Sequence, residues 1–212
     1  MINVTYAITV CNELKEITKL VDYLQPKIKS EDEILIQYDE DSATDAVKQY
    51  LAIVSQLHKS IKVISFPLAG DFASYKNNLK NHAKGIFIFQ IDADEIPSEY
   101  IVENLSDFLL ANKEVDLFFI PRINTVEGLT KQHISKWGWN VNEKGWVNFP
   151  DVQTRIYKND KKLFWENKVH EQIKGIETYT NLPIDEVYCI RHIKSIERQE
   201  NQNSYYGEID NI

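Results

Sequence analysis

The chain has 212 residues, 43% of them hydrophobic and 26% charged, which suits one soluble α/β domain with a real core. A formal net charge of -8 excludes nucleic-acid binding through a broad basic surface, although a divalent cation still lets an acidic protein hold an anionic nucleotide. The two cysteines, Cys11 and Cys189, lie far apart in no metal or redox spacing, so a reducing compartment and no disulfide framework are expected. Met1 leads directly into a strand-like segment rather than a charged and apolar leader, and no apolar run approaches the roughly 18 residues that span a bilayer. The expected location is cytoplasmic, compatible with peripheral association at the inner face of a membrane.

The first half alternates strand and helix signals. Asn3 to Val10 is apolar and β-rich, and Glu13 to Leu24 carries Leu14, Ile17, Leu20, Val21 and Leu24 at helical spacing before Pro26. Glu33 to Tyr38 predicts a second strand, Ala43 to Leu57 a helix, and Ile61 to Phe66 a third strand. Phe72 to His82 predicts a shorter helix, Gly85 to Ile91 a fourth strand, Ser98 to Leu110 a capped helix and Val115 to Ile120 a fifth strand. Repeated strand–helix–strand units imply a mostly parallel sheet flanked by helices. From Pro121 the helical periodicity fades, aromatics mix with polar residues, and strands look short. Residues 1–120 thus read as a nucleotide half and residues 121–212 as an acceptor half of one domain, with no linker between them. Ser195 to Tyr206 reads as a polar terminal helix. Only seven glycines occur and no glycine-rich phosphate loop is present, so bound phosphates would need a metal ion.

The most informative stretch is Ile86 to Glu95, an apolar run of strand length that ends in Asp92-Ala93-Asp94-Glu95. Buried parallel strands read as continuous apolar runs, and open α/β sheets bind ligands beyond the C-terminal ends of their strands. Two carboxylates spaced i, i+2 at such an end can serve one hard cation while leaving positions for a diphosphate, as in enzymes that use nucleotide-sugars. The competing reading is an acidic approach to a helix beginning at Pro97-Ser98. Gln90 is a polar residue inside this strand and is expected to find a partner. Two other strand ends share the same edge. Thr9-Val10-Cys11-Asn12-Glu13 follows the first strand and Tyr38-Asp39-Glu40-Asp41 the second, so Asn12 and Asp39 can meet a base and ribose. Asn12-Glu13 equally fits a helix cap with an acidic first turn, and Asp39 to Asp45 a solvated acidic turn.

In the second half, Asp151 precedes a β-type stretch, with Gln153 and Arg155 on its face. Asp151 can take a proton from a sugar hydroxyl. Arg155 can pair with Asp151, structurally, or with a phosphate. Trp137 and Trp139 flank Gly138 and are candidates for stacking on a sugar, although tryptophans are more often core. His192 follows another strand-like run and offers an imidazole to a Mn2+-type ion.

In this order and spacing the motifs resemble the GT-A-fold, family 2 inverting glycosyltransferases, most like the branch with bacterial lipopolysaccharide-core glucosyltransferases. The resemblance covers about Val4 to Tyr206. It rests on Thr9 to Glu13, Asp39 to Asp45, Lys76-Asn77, Asp92 to Glu95, Pro121 to Asn124, Gly138-Trp139, Phe149 to Arg155, Val169-His170-Glu171 and His192. Glu40 stands where a serine is usual, and Lys76 where arginine is common. The resemblance implies a GT-A (Rossmann-like) fold, a nucleotide-diphosphate sugar donor (UDP at family level), Mn2+ or Mg2+, and a glycan or glycolipid acceptor. It implies that Asp94 ligates the metal with Asp92 and His192, and that Thr9, Asn12, Glu13, Asp39 and Ala93 frame the nucleotide. Lys76, His170, Gln153, Arg155 and Trp139 would line the diphosphate and sugars, and Asp151 would be the general base. The alternatives are a non-catalytic sugar-nucleotide module, a nucleotidyltransferase, for which the first loop lacks glycine and basic residues, and a phosphatase, which lacks a nucleophile after the first strand.

Overall fold

The computed structural model describes residues 2–209, with side chains described through residue 204. The first half runs β1 (Val4–Val10), α1 (Leu14–Leu24), β2 (Glu33–Asp39), α2 (Asp45–Leu57), β3 (Ile61–Phe66), α3 (Phe72–His82) and β4 (Phe87–Asp92). These follow the periodicities within a residue or two. Two of the three helices start on a capping side chain. Thr44 accepts from the Val47 N–H and caps α2, and Asp71 accepts from the Ser74 N–H and caps α3.

The second half departs from expectation. β5 (Glu95–Pro97) follows β4 after a two-residue turn, so the carboxylates sit in a strand–turn–strand rather than at a helix start. Ser98 then caps α4 (Glu99–Ala111) by accepting from the Ile101 N–H. The predicted short strands are instead two long ones, β6 (Leu117–Glu127) and β7 (Val147–Lys158), joined through α5 (Lys131–Trp137). They pair antiparallel with register shifts at Phe118/Phe119 and Arg122/Asn124, and Pro121 lies between these, opposite Val152. β8 (Phe164–Glu166) and β9 (Gln172–Lys174) form a separate hairpin, β10 (Tyr179–Asn181) pairs with β6, and β11 (Ile190–Ser195) leads into α6 (Ile196–Ile209).

One nine-stranded sheet runs through both halves in the order β3-β2-β1-β4-β7-β6-β11-β5, with β10 beside β6. Its pairings are parallel except β4–β7, β6–β7 and β5–β11. This is the expected GT-A α/β fold. α1, α2 and α4 pack Ile17, Leu51 and Leu105 on one face against Tyr6, Ile8 and Phe89. α3 and the β8–β9 hairpin cover the other with Leu79, Leu163 and Trp165. Gly85 permits the close start of β4, since a Cβ there would lie 2.4 Å from the Thr5 backbone nitrogen. Among the described residues, no helix is long and apolar enough to cross a membrane.

Candidate active site

Strand register assembles the site. In the parallel β1–β4 pair Thr9 lies opposite Asp92, and the Thr9 Oγ1 hydroxyl donates to Asp92 Oδ1 at 3.0 Å. β2 places Asp39 two residues beyond Gln37, the partner of Thr9, along the same edge. These strand ends open into a cavity of about 740 Å3, within the range of small-molecule sites. Its walls include the predicted Thr9, Asn12, Glu13, Asp39 and Lys76, together with Asp92, Ala93 and Asp94. Gln153, Arg155 and His192 join them from the second half.

Asp151, His170 and Trp139 do not line this cavity. His170 is exposed, with φ 55°, and the residue that reaches the cavity is its neighbour Glu171. The Lys168 carbonyl accepts from the Phe72 N–H at 3.0 Å, which ties this loop to α3. Glu171 then pairs with Lys76, whose ammonium lies 4.5 Å from the Trp165 ring centroid. A lysine that is 7% exposed needs such partners.

Across the cavity floor runs a ladder of charges. Arg155 donates to Asp92 Oδ2 at 2.8 Å and to Glu95 Oε1 at 2.6 Å. Arg122 donates to Glu95 Oε1 at 2.8 Å and through Nε to Asp151 Oδ2 at 2.9 Å. Arg155 therefore pairs with Asp92 and Glu95, not with Asp151, which instead holds Arg122. Glu95 is fully buried, and a charge in such a position persists only with counter-charges. Gln153 does share the Asp151 face and donates to Oδ1 at 2.6 Å.

The ladder continues because β11 sits between β5 and β6. His192 is opposite Glu95 on one side and Asn124 on the other. Asn124 Nδ2 donates to Asp151 Oδ2 at 2.7 Å, which leaves its Oδ1 to accept from His192 Nδ1 at 2.8 Å. The lone pair of a neutral His192 then lies on Nε2, 3.3 Å from Asp94 Oδ2. A carboxylate and an imidazole lone pair facing one point, with the ring's other nitrogen held by an amide, suit a divalent cation. Asp92, predicted as a third ligand, has one oxygen bonded to Thr9 and the other to Arg155. Among the described residues no group of three His, Cys, Asp or Glu is gathered to hold a metal. Asp94 and His192 would hold the ion, with the remaining positions left to ligand oxygens.

The first loops carry structural duties too. Glu13 Oε2 accepts from the Cys11 and Asn12 N–H groups at 2.7 and 3.0 Å, so Glu13 folds the loop it belongs to. Asp39 Oδ1 accepts from the N–H groups of Leu68 and Asp41, and Asp39 is buried while Glu40 and Asp41 are exposed. Arg198 of α6 reaches back to Glu13 at 2.9 Å and to Asp94 at 3.5 Å. Gln90 has no hydrogen-bond partner for either amide atom among the described residues, contrary to expectation.

The ladder sets protonation. Burial pushes the Asp92 carboxyl up, but Arg155, Lys76 and the Thr9 hydroxyl outweigh it and hold Asp92 well below the usual carboxylate range. For Asp151 burial is likewise overcome, by Arg122 and the donors Asn124 and Gln153, so it is lowered and ionised near neutrality. His192 lowers Asp94 against the same burial penalty. Burial pushes the thiols of Cys11 and Cys189 up to about 11, which removes thiolate chemistry from the site.

The sequence reading did not assign roles to Glu95, Arg122, Asn124, Glu171, Lys194 and Arg198. Arg122 and Asn124 stood in the Pro121-Arg122-Ile123-Asn124 motif, whose alternation puts both on the Asp151 face.

The fold and this strand-edge cavity define a GT-A-type protein. The model of the family "Glycosyl transferase family 2" matches residues 5–195, and the chain belongs to that family of glycosyltransferases. A comparison with curated proteins by sequence finds no match. Among solved structures, S. aureus TarS 1-349 in complex with UDP-GlcNAc superposes with a TM-score of 0.61 at 17% identity, covering 92% of this chain and 59% of that one. The same protein in complex with UDP gives a TM-score of 0.60 at 17% identity over 91% of this chain and 60% of that one. The chain thus spans about 60% of the length of these structures, and the likeness is one of fold.

Proposed function

We propose that this chain transfers a sugar, with inversion, from a nucleoside-diphosphate donor to a hydroxyl of a glycan or glycolipid acceptor. The carrying observation is the ladder that joins Asp92 in the cavity to Asp151 through Arg155, Glu95 and Arg122. UDP is the favoured nucleotide, supported by the fold of the UDP-bound TarS structure. The Thr9–Glu13 loop and Asp39 form the end that suits a base and ribose, and Lys76 the side that suits the diphosphate or donor sugar. Asp94 and His192 would hold Mn2+ or Mg2+, which neutralises charge on a departing diphosphate.

Asp151 is the base in this reading. Its Oδ2 is fixed by Arg122 and Asn124, while among the described residues Oδ1 meets only Gln153. As the acceptor oxygen bonds to the anomeric carbon, the anomeric bond to the diphosphate breaks and its electron pair leaves with the diphosphate. The hydroxyl proton passes to Asp151. The lipopolysaccharide-core branch is the narrower form of this reading, supported by the resemblance around Pro121–Asn124 and Phe149–Arg155.

The test is UDP release from a panel of UDP-sugars with Mn2+ and glycan acceptors. Asp151→Asn is expected to lower turnover about 10²- to 10⁴-fold with UDP binding retained. Full turnover in that variant removes Asp151 as base. A binding-only module is the second reading, favoured by the three side chains already bonded to Asp151. UDP binding in wild type without release from any donor would establish it.

A further inference from the structure

A second cavity of about 220 Å3 lies beside the first and shares Arg122, His192 and Lys194 with it as a common wall. It is smaller than the roughly 300–1,000 Å3 of drug-sized sites, so it fits one ring or a chain end. Its composition differs sharply from that of its neighbour. The large cavity is walled by five carboxylates, Glu13, Asp39, Asp92, Asp94 and Glu171, whereas none lines the small one. In a chain with 32 acidic residues and a net charge of -8, that is a marked local exception. Amides line it instead, including Asn148, Gln199 and Asn203, with the Trp139 ring at its edge.

The cations on the common wall are not equivalent. Arg122 is neutralised by Glu95 and Asp151. Lys194 is half-buried and donates to the neutral Gln202 Oε1 at 2.5 Å; Asp94 and Asp92 act on it through space, but no carboxylate lies at ion-pair distance among the described residues. A partly desolvated ammonium beside neutral amides is a site waiting for an anion. Amide donors and acceptors beside a tryptophan suit a ring bearing hydroxyls.

We propose that this second cavity is the acceptor subsite and that it selects a sugar or polyol carrying a negative group, phosphate or carboxylate, held by Lys194 with Trp139 against the ring. The proposal rests on the glycosyltransferase reading above. Asp151 lies behind this wall, bonded to Arg122 and Asn124, both of which line the second cavity, so a hydroxyl bound here lies toward the base.

Glucose, glucose 6-phosphate, glucuronate and inorganic phosphate are titrated separately into protein saturated with UDP and Mn2+, so that the donor cavity is blocked. Glucose 6-phosphate or glucuronate is expected to bind about tenfold or more tightly than glucose, and the better of the two names the anion. Lys194→Gln should abolish that difference, Trp139→Ala should weaken every sugar, and Trp139→Phe should restore binding. Lys76→Gln, confined to the large cavity, is expected to weaken UDP but, once UDP is saturating again, to leave the preference for the charged sugar unchanged. Equal binding of charged and neutral sugars overturns the proposal. So does loss with Lys76→Gln but not Trp139→Ala, or phosphate binding as tight as glucose 6-phosphate and independent of Trp139. Failure of UDP to bind at all counts against the donor reading alone. The same titrations on unliganded protein, read through Trp139 and Lys76, then decide the second cavity.

Discussion

The two halves of this molecule are held together by different physics. In the first, β1 to β4 and α1 to α3 bury apolar stripes, with Asp39 and Asp92 at strand ends and only scattered polar residues such as Thr5, Gln37 and Gln90 inside the sheet. In the second, the strands carry Arg122, Asp151, Arg155 and His192 into the interior, and the packing there is a ladder of paired charges closed by Glu95. Apolar packing is tolerant of substitution by shape, but a buried charge tolerates no loss of its partner. The first half is thus built on a conventional core, and the second on a network that fails as a unit.

Removing one rung is the severest way to break this contrast. Arg155→Met is expected to cost about 3–5 kcal/mol, because fully buried Glu95 loses one of its two counter-charges. Leu51→Val, in the apolar half, should cost far less, about 1 kcal/mol. Urea unfolding of both variants checks the ratio, and equal costs would erase the distinction.

Acid should reveal charge pairing next. Asp116 accepts from the Glu177 and Thr178 N–H groups and pairs with Lys158, and against the opposing effect of burial these hold it at about 2. A carboxyl depressed in the folded state binds its proton first in the unfolded chain. Its stabilisation is therefore full above about pH 4 and lost as pH falls toward 2, about 2–3 kcal/mol in all. Asp116→Asn should flatten that part of the stability curve, measured by urea midpoints from pH 5 to 2.

The smallest effect comes from Gln90, which is fully buried with its amide unpartnered. Gln90→Met should stabilise the protein by about 1 kcal/mol. A lower Tm would mean that this amide has a partner, such as a buried water, that matters.

What could be read from the sequence follows the same division. The first half was legible because apolar periodicity encodes elements whose partners are near in sequence. Asp92, Asp94, Thr9 and Asp39 were legible for a related reason, since strand ends of a parallel sheet converge on one edge. β6 and β7 were not, because Pro121 and Pro150 read as breaks while Pro121 lies inside β6, opposite Val152. α5 escaped notice because it buries no residue. The ladder was hidden because its partners lie 27 to 68 residues apart, and no local pattern marks which arginine meets which carboxylate. Asp92 and Asp94 show this limit best. They were read as twin ligands, yet one faces Arg155 and the other His192.

That separation is the central claim, and UDP binding tests it most directly. UDP is titrated calorimetrically into wild type and Asp94→Asn, each with Mn2+ and with EDTA, alongside Tm. The account predicts tight binding only with Mn2+ in wild type, and loss of that metal dependence in Asp94→Asn with the protein still cooperatively folded. UDP binding that is equal with Mn2+ and EDTA in wild type, or metal dependence that survives Asp94→Asn, would contradict it.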